Sequence, residues 1–119
     1  MVERTESVQN YFVGIDGSNE SEDAFEVVIS GLRRPQDKIT AAHVHDTRKS
    51  ELPYNMKPHY IKEVFSCKLM VLGDKGSYAS DSFEGGKEVT TKSCLMALAK
   101  SHEATITVTG MHGRKGIKA

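Results

Sequence analysis

The order of patterns between Tyr11 and Asp46 constrains this chain more than any other feature. Tyr11-Phe12-Val13-Gly14-Ile15 is a short apolar run rich in strand formers, and Asp16-Gly17-Ser18-Asn19 ends it with a turn cluster. Ser21 then precedes Glu22 and Asp23, after which Ala24, Phe25, Val28, Ile29 and Leu32 recur at helical spacing. Serine or asparagine ahead of early acidic residues marks a helix start, because the acids complement orphan N–H groups. Arg33-Arg34-Pro35 closes the helix, and Ile39-Thr40-Ala41-Ala42-His43-Val44-His45-Asp46 is a second strand with a polar exit. A helix between two strands makes them parallel neighbours joined by a right-handed crossover.

The remainder continues the alternation. After a polar loop from Thr47 to Pro53, the residues Tyr60, Ile61, Val64, Phe65, Leu69 and Leu72 fit one helical face. Lys68-Leu69-Met70-Val71-Leu72-Gly73 taken alone also reads as a buried strand; a single helix over about 57–72, with Pro58 in its first turn, is the favoured reading. Ser77-Tyr78-Ala79-Ser80-Asp81-Ser82-Phe83 is a poor strand by propensity and belongs at a sheet edge if it is one. Residues 87–102 form the clearest helix, with Val89, Ser93, Leu95, Met96, Leu98 and Ala99 on its apolar face; Met70 and Met96 are read as core. Thr105-Ile106-Thr107-Val108-Thr109 closes the pattern as a strand. Its threonines alternate with apolar residues, whereas a parallel strand covered on both faces is usually apolar throughout, so one face is expected to be only partly covered. The fold class is therefore α/β: an open parallel sheet with helices on both faces, with residues 1–10 as a flexible tail and 11–119 as one domain.

Composition removes several functions. Sixteen basic and sixteen acidic residues cancel, so bulk charge favours neither nucleic acid nor a membrane surface. No apolar run approaches the roughly 20 residues that span a bilayer, and the polar opening is no signal peptide, which points to the cytoplasm. Cys67 and Cys94, lacking Cys-x-x-Cys spacing, read as reduced thiols.

Three strand ends are polar and turn-rich: Asp16-Gly17-Ser18, His45-Asp46 and Gly110-Met111-His112-Gly113. In an open parallel sheet they lie along one rim, where ligands bind. Backbone N–H groups at Gly110 and Gly113 can face phosphate oxygens, with Arg114 and Lys115 adding charge. Asp16 suits a ribose hydroxyl or a metal-bridged phosphate, and the backbone near Val44 suits a purine edge. Plain alternatives stand beside these readings. Glycines at strand ends are mostly simple turns, and His112 fits a solvent-facing loop as well as a phosphate contact. His43 and His45 share a strand face and could pair on a metal, but Asp46 is the one candidate third ligand, so core packing and a hydrogen-bonded strand end are the better reading. No histidine and acid surround Ser18 as a nucleophile requires, and no assembled acid-base pair is present, so no catalytic or metal-binding residue is assigned.

Val13-Gly14-Ile15-Asp16-Gly17-Ser18, His43-Val44-His45-Asp46 and Val108-Thr109-Gly110-Met111-His112-Gly113-Arg114-Lys115-Gly116 resemble strand ends of the universal stress protein family, in matching order across residues 11–116. The resemblance implies a flavodoxin-like, HUP-type sheet, here of order 3-2-1-4, and an adenine-nucleotide (ATP) site, with magnesium accompanying the nucleotide. It assigns nucleotide contacts to Asp16, Gly17, Val44, Thr109, Gly110, His112, Gly113 and Arg114. The family's ATP motif is Gly, two residues, Gly, nine residues, then Gly followed by Ser or Thr. Gly110 and Gly113 supply its first half, and nine residues beyond Gly113 lie past Ala119. The distal Gly-Ser, the last helix and the fifth strand are thus expected to be missing. Nucleotide affinity should fall by several charged hydrogen bonds at roughly 1.5–3 kcal/mol each, to weak or absent binding, with no turnover beyond trace ATP hydrolysis. The final strand becomes a sheet edge that invites a homo-oligomer. The resulting expectation is a cytoplasmic stress-response module; the alternative is an oligomerising scaffold of the same fold that binds no nucleotide.

Overall fold

The structure is a computed structural model that describes residues 8–48, 51–85 and 90–109. Its strands are β1 (Asn10–Gly14), β2 (Lys38–Asp46), β3 (Gly76–Phe83) and β4 (Ile106–Thr109). Its helices are α1 (Asn19–Val27), α2 (Pro58–Met70) and α3 (Thr91–Ser101). The strands form one sheet of order β3-β2-β1-β4 in which every pairing is parallel. This is the expected sheet. Two apolar layers sandwich it. Tyr11, Val13, Ile15, Ile39 and Ala41 meet Phe25 and Val28 from the α1 side and Ile61, Phe65 and Leu69 from α2. Phe12, Ala42 and Val44 point the other way, onto Leu95 and Ala99 of α3. Successive strand residues therefore serve opposite layers, which is why the central strands read as nearly unbroken apolar runs.

The ambiguous stretch is helical through Met70, with Val64 and Leu72 packed beside the buried Ile61, Phe65 and Leu69. β3 is a full strand of eight residues although its sequence is a poor one. β2 supplies a ladder along its whole length, from the Ile39–Gly76 pair to Asp46–Phe83, and Thr40 Oγ1 meets Ser77 Oγ at 2.8 Å across the strands. Pairing to a buried neighbour overrides weak propensity. Among the described residues β3 and β4 are the edges.

Several boundaries and core assignments differ from expectation. α1 begins at Asn19 and is capped by Ser18, whose side chain accepts the Ser21 N–H, so Ser21 lies inside the first turn. Its far end continues as a π-helical turn over Val28–Leu32, where the Arg33 N–H reaches back to the Val28 carbonyl at 2.9 Å. α3 is described from Thr91, with Thr90 as cap: Thr90 Oγ1 accepts the Ser93 N–H and Ser93 Oγ accepts the Thr90 N–H. Residues 86–89, including Val89, lie outside the described residues. Met70 and Met96 are not core: they are 73% and 49% exposed. Met70 is the last residue of α2, off the stripe defined by Ile61, Phe65 and Leu69, and Met96 follows the buried Leu95 on a face of α3 that lines an open cleft. Asn10 already belongs to β1, donating its N–H to Thr105 Oγ1 at 2.7 Å; residues 1–7 of the expected tail lie outside the described residues.

The edge opposite the rim is fastened by a buried acid. Asp37 is fully buried, and its carboxylate accepts the Gln9 N–H at 2.9 Å, the Arg34 N–H at 2.8 Å and an Arg34 guanidinium N–H at 3.1 Å. Burial alone would push its pKa up, but the Arg34 side chain and the two backbone donors outweigh it and hold it at about 2. Cys67 and Cys94 are free thiols. Among the described residues no helix is long and apolar enough to cross a membrane.

Candidate functional site

Every strand of a parallel sheet points the same way, so the turns after β1 and β2 and the start of α3 after β3 come to one rim. At that rim a cleft of about 460 Å³ opens between β1, β4 and the first turns of α3. Gly14, Ile15, Asp16 and Val44 line it from the sheet, Thr91, Lys92, Leu95 and Met96 from α3, and Thr107 and Thr109 from β4. Strand alternation explains its shape. Ile106 and Val108 turn toward α1 and α2, whereas Thr107 and Thr109 are exposed on the opposite face. The alternating threonines thus mark the partly covered face, as the sequence pattern implied. Gly14 permits the close approach of α3, because a Cβ there would stand 2.6 Å from Leu95 Cδ2.

Of the expected contact residues, Asp16, Val44 and Thr109 meet in this cleft. Gly17 instead lines a neighbouring pocket of about 190 Å³ with Asn55, Tyr60 and Ile61. Its φ of +90° makes the turn from β1 into α1, its carbonyl accepts from Asn55 Nδ2 at 2.9 Å, and a Cβ there would lie 2.4 Å from the Asn55 carbonyl oxygen. Gly110, His112, Gly113 and Arg114 lie outside the described residues. Sequence reasoning missed Thr91, Lys92, Leu95 and Met96 as cleft residues. The signal was available in outline, since the helix following β3 must begin at the rim where β3 ends.

Two further polar side chains near the rim, Asp46 and His43, are committed to the fold. Asp46 accepts from the Arg48 N–H at 3.0 Å, the Arg48 guanidinium at 3.2 Å and the Gly85 N–H at 3.1 Å, joining the ends of β2 and β3. The Arg48 side chain and N–H hold the Asp46 carboxyl at about 2. His43 Nδ1 lies 2.7 Å from the Ile15 carbonyl oxygen, which can only accept, so this nitrogen carries the proton. His43 and His45 do share a face, their rings stacked 6.5 Å apart. Among the described residues no group of three or more His, Cys, Asp or Glu side chains converges as a metal site. The cleft therefore offers an apolar wall from Val44, Leu95 and Met96, an acceptor at Asp16, a cation at Lys92 and hydroxyls at Thr91, Thr107 and Thr109.

An all-parallel sheet whose strand order reverses at β1, with a cleft beside that reversal, defines the flavodoxin-like class of open α/β domains. Residues 8–119 match the family model of the universal stress protein family, and the chain belongs to that family. Two solved structures share the fold. One is a protein from the universal stress protein family from Burkholderia pseudomallei, with a TM-score of 0.61 at 16% identity over 87% of this chain and 82% of that one. The other is universal stress protein UspA from Lactobacillus plantarum, with a TM-score of 0.61 at 18% identity over 92% and 83% of the two chains. No curated protein matches the chain at a significant level.

Proposed function

We propose that this protein is a cytoplasmic stress-response module that binds an adenine nucleotide weakly in the cleft at the carboxyl ends of β1 and β4, without turnover beyond trace ATP hydrolysis. The observation that supports this reading is the convergence of Asp16, Val44 and Thr109 on one cleft of about 460 Å³, a size within the usual range of small-molecule sites. The lining fits the chemistry of a nucleotide. Val44, Leu95 and Met96 suit a purine face, Asp16 suits a hydroxyl donor, and Lys92 suits an anion. Magnesium would come with the triphosphate, since no described side-chain cluster holds a cation independently. Titration calorimetry with ATP and magnesium tests the proposal. Weak saturable heat whose affinity falls at least tenfold in Asp16→Ala supports it, and no heat at high protein concentration contradicts it.

A second reading rests on the sheet edge. β4 is the outermost strand on its side among the described residues, and exposed edges recruit further strands. On this reading the domain is a homo-oligomerising scaffold, with neither nucleic acid nor membrane as partner. Sedimentation that shows only monomer at high concentration removes it.

A further inference from the structure

The turn that presents Asp16 to the cleft is a closed hydrogen-bond circuit. Asp16 Oδ1 accepts two bonds from Ser18, one from its N–H at 2.9 Å and one from its hydroxyl at 2.5 Å. The same hydroxyl oxygen accepts the Ser21 N–H at 3.2 Å as the cap of α1. Ser21 Oγ donates to the Ser18 carbonyl at 3.0 Å and accepts the Asp16 N–H at 3.2 Å. Ser18 and Ser21 are 6% and 1% exposed, so water competes little for these bonds. From the other side the Ile15 carbonyl, one peptide before Asp16, is held by the buried His43. Both the backbone and one carboxylate oxygen of Asp16 are thereby fixed. Among the described residues no hydrogen bond reaches Asp16 Oδ2, and Asp16 lines the cleft.

We infer that Ser18 is the positioning residue of the cleft: by engaging Oδ1 with two donors it sets the rotamer of Asp16 and leaves Oδ2 as a single, aimed acceptor. This inference rests on the nucleotide reading above and adds its chemical selectivity. A carboxylate with one oxygen already occupied is poorly disposed to chelate a cation through both, and the remaining oxygen, Oδ2, is suited to accept one hydrogen bond from a ligand hydroxyl. The cap and the ligand acceptor share one side chain, which ties the start of α1 to the cleft. Holding the acceptor in place before binding removes the entropy of ordering it at the moment of contact.

The test is a double-mutant cycle read by calorimetry with ATP and magnesium, with melting temperature measured in parallel. Ser18→Ala is expected to weaken binding about tenfold, the loss of a hydrogen-bonded acceptor position worth roughly 1.4 kcal/mol. In an Asp16→Ala background the same change should have no further effect. Ser18→Thr, which keeps the hydroxyl, should bind within about twofold of the native chain. Ser18→Gly, nearly as good a cap but without a hydroxyl, should lose affinity as Ser18→Ala does while keeping more of its melting temperature. If Ser18→Ala and Ser18→Gly bind like the native chain and only stability falls, Ser18 is a helix cap alone and the inference is overturned. Losses from Ser18→Ala and Asp16→Ala that multiply would overturn it too. Absence of heat from the native chain overturns the nucleotide reading itself, a result distinct from either.

Discussion

His43 Nδ1 lies 2.7 Å from the carbonyl oxygen of Ile15, so a buried imidazole ties the end of β2 to the residue that precedes Asp16. Nε2 of the same ring is buried without a hydrogen-bond partner among the described residues. Protonation would place a charge and an unmet N–H there. Burial accordingly lowers the His43 pKa, and His45 adds to that lowering, against the carbonyl of Ile15 and the carboxylate of Asp16, which oppose it. Because the folded value lies below the unfolded 6.5, the unfolded chain takes up this proton first as pH falls. Stability from this group is therefore complete above about 6.5 and declines as pH drops below it, until the folded pKa is reached. Melting temperatures between pH 7.5 and 5.5 should fall for the native chain, and His43→Asn, which keeps a donor for Ile15 but does not titrate, should flatten the slope. Equal slopes would refute the assignment.

Asp37 behaves as the opposite kind of titrating group at the other end of the sheet. Its folded pKa of about 2 lies below the ordinary 3.8, so its stabilisation is present above 3.8 and is lost as pH falls toward 2. The shift corresponds to about 2 kcal/mol at neutral pH. Urea unfolding of Asp37→Asn at pH 7 should show a loss of that size, with little difference from the native chain near pH 2.

Two glycines give opposite outcomes on substitution by alanine. At Gly14 the new methyl meets Leu95 Cδ2 at 2.6 Å and Thr109 Cγ2 at 3.3 Å, so the buried Leu95 side chain must repack and a loss of about 1 kcal/mol is expected. Gly31, in the π-helical turn, has nothing within 4 Å of a built Cβ, and alanine there should stabilise by about 0.5–1 kcal/mol. Denaturation midpoints of the two variants should move in opposite directions.

Glu103, just beyond α3, has φ +58°, a left-handed conformation that favours glycine. Glu103→Gly should raise stability by about 1 kcal/mol. A drop in melting temperature would show that the glutamate side chain contributes more there than its backbone costs.

Legibility in the sequence followed the physics of each element. β1 and β2 were readable because both sheet layers need apolar residues at those positions, and Phe12, Val13, Ile39 and Val44 supply them; α1 was readable from the helical spacing of Phe25 and Val28, which face one layer. Thr107 and Thr109 announced a face without a full cover. β3 was barely readable, because Ser77, Ser80 and Ser82 carry no strand signal and the strand exists through its pairing with β2. Met70 and Met96 were misassigned to the core because hydrophobicity does not say which side of a helix meets the sheet. Asp16 and Val44 could be placed in the cleft from strand ends alone. Lys92 and Met96 could be placed only as far as the rim where β3 ends, since which of their neighbours line the cleft depends on where α3 lands. The lock of Ser18 on Asp16 is a matter of side-chain geometry within one turn, and Ser18 read simply as part of the turn cluster after the first strand.

Native mass spectrometry of the purified chain, with ATP and magnesium added up to millimolar concentration, tests nucleotide binding at this rim most directly. The expected result is a complex of one nucleotide per chain with a dissociation constant on the order of 100 μM, raised at least tenfold in Asp16→Ala. A chain that stays entirely unliganded at millimolar ATP, or binds equally well without the Asp16 carboxylate, would contradict it.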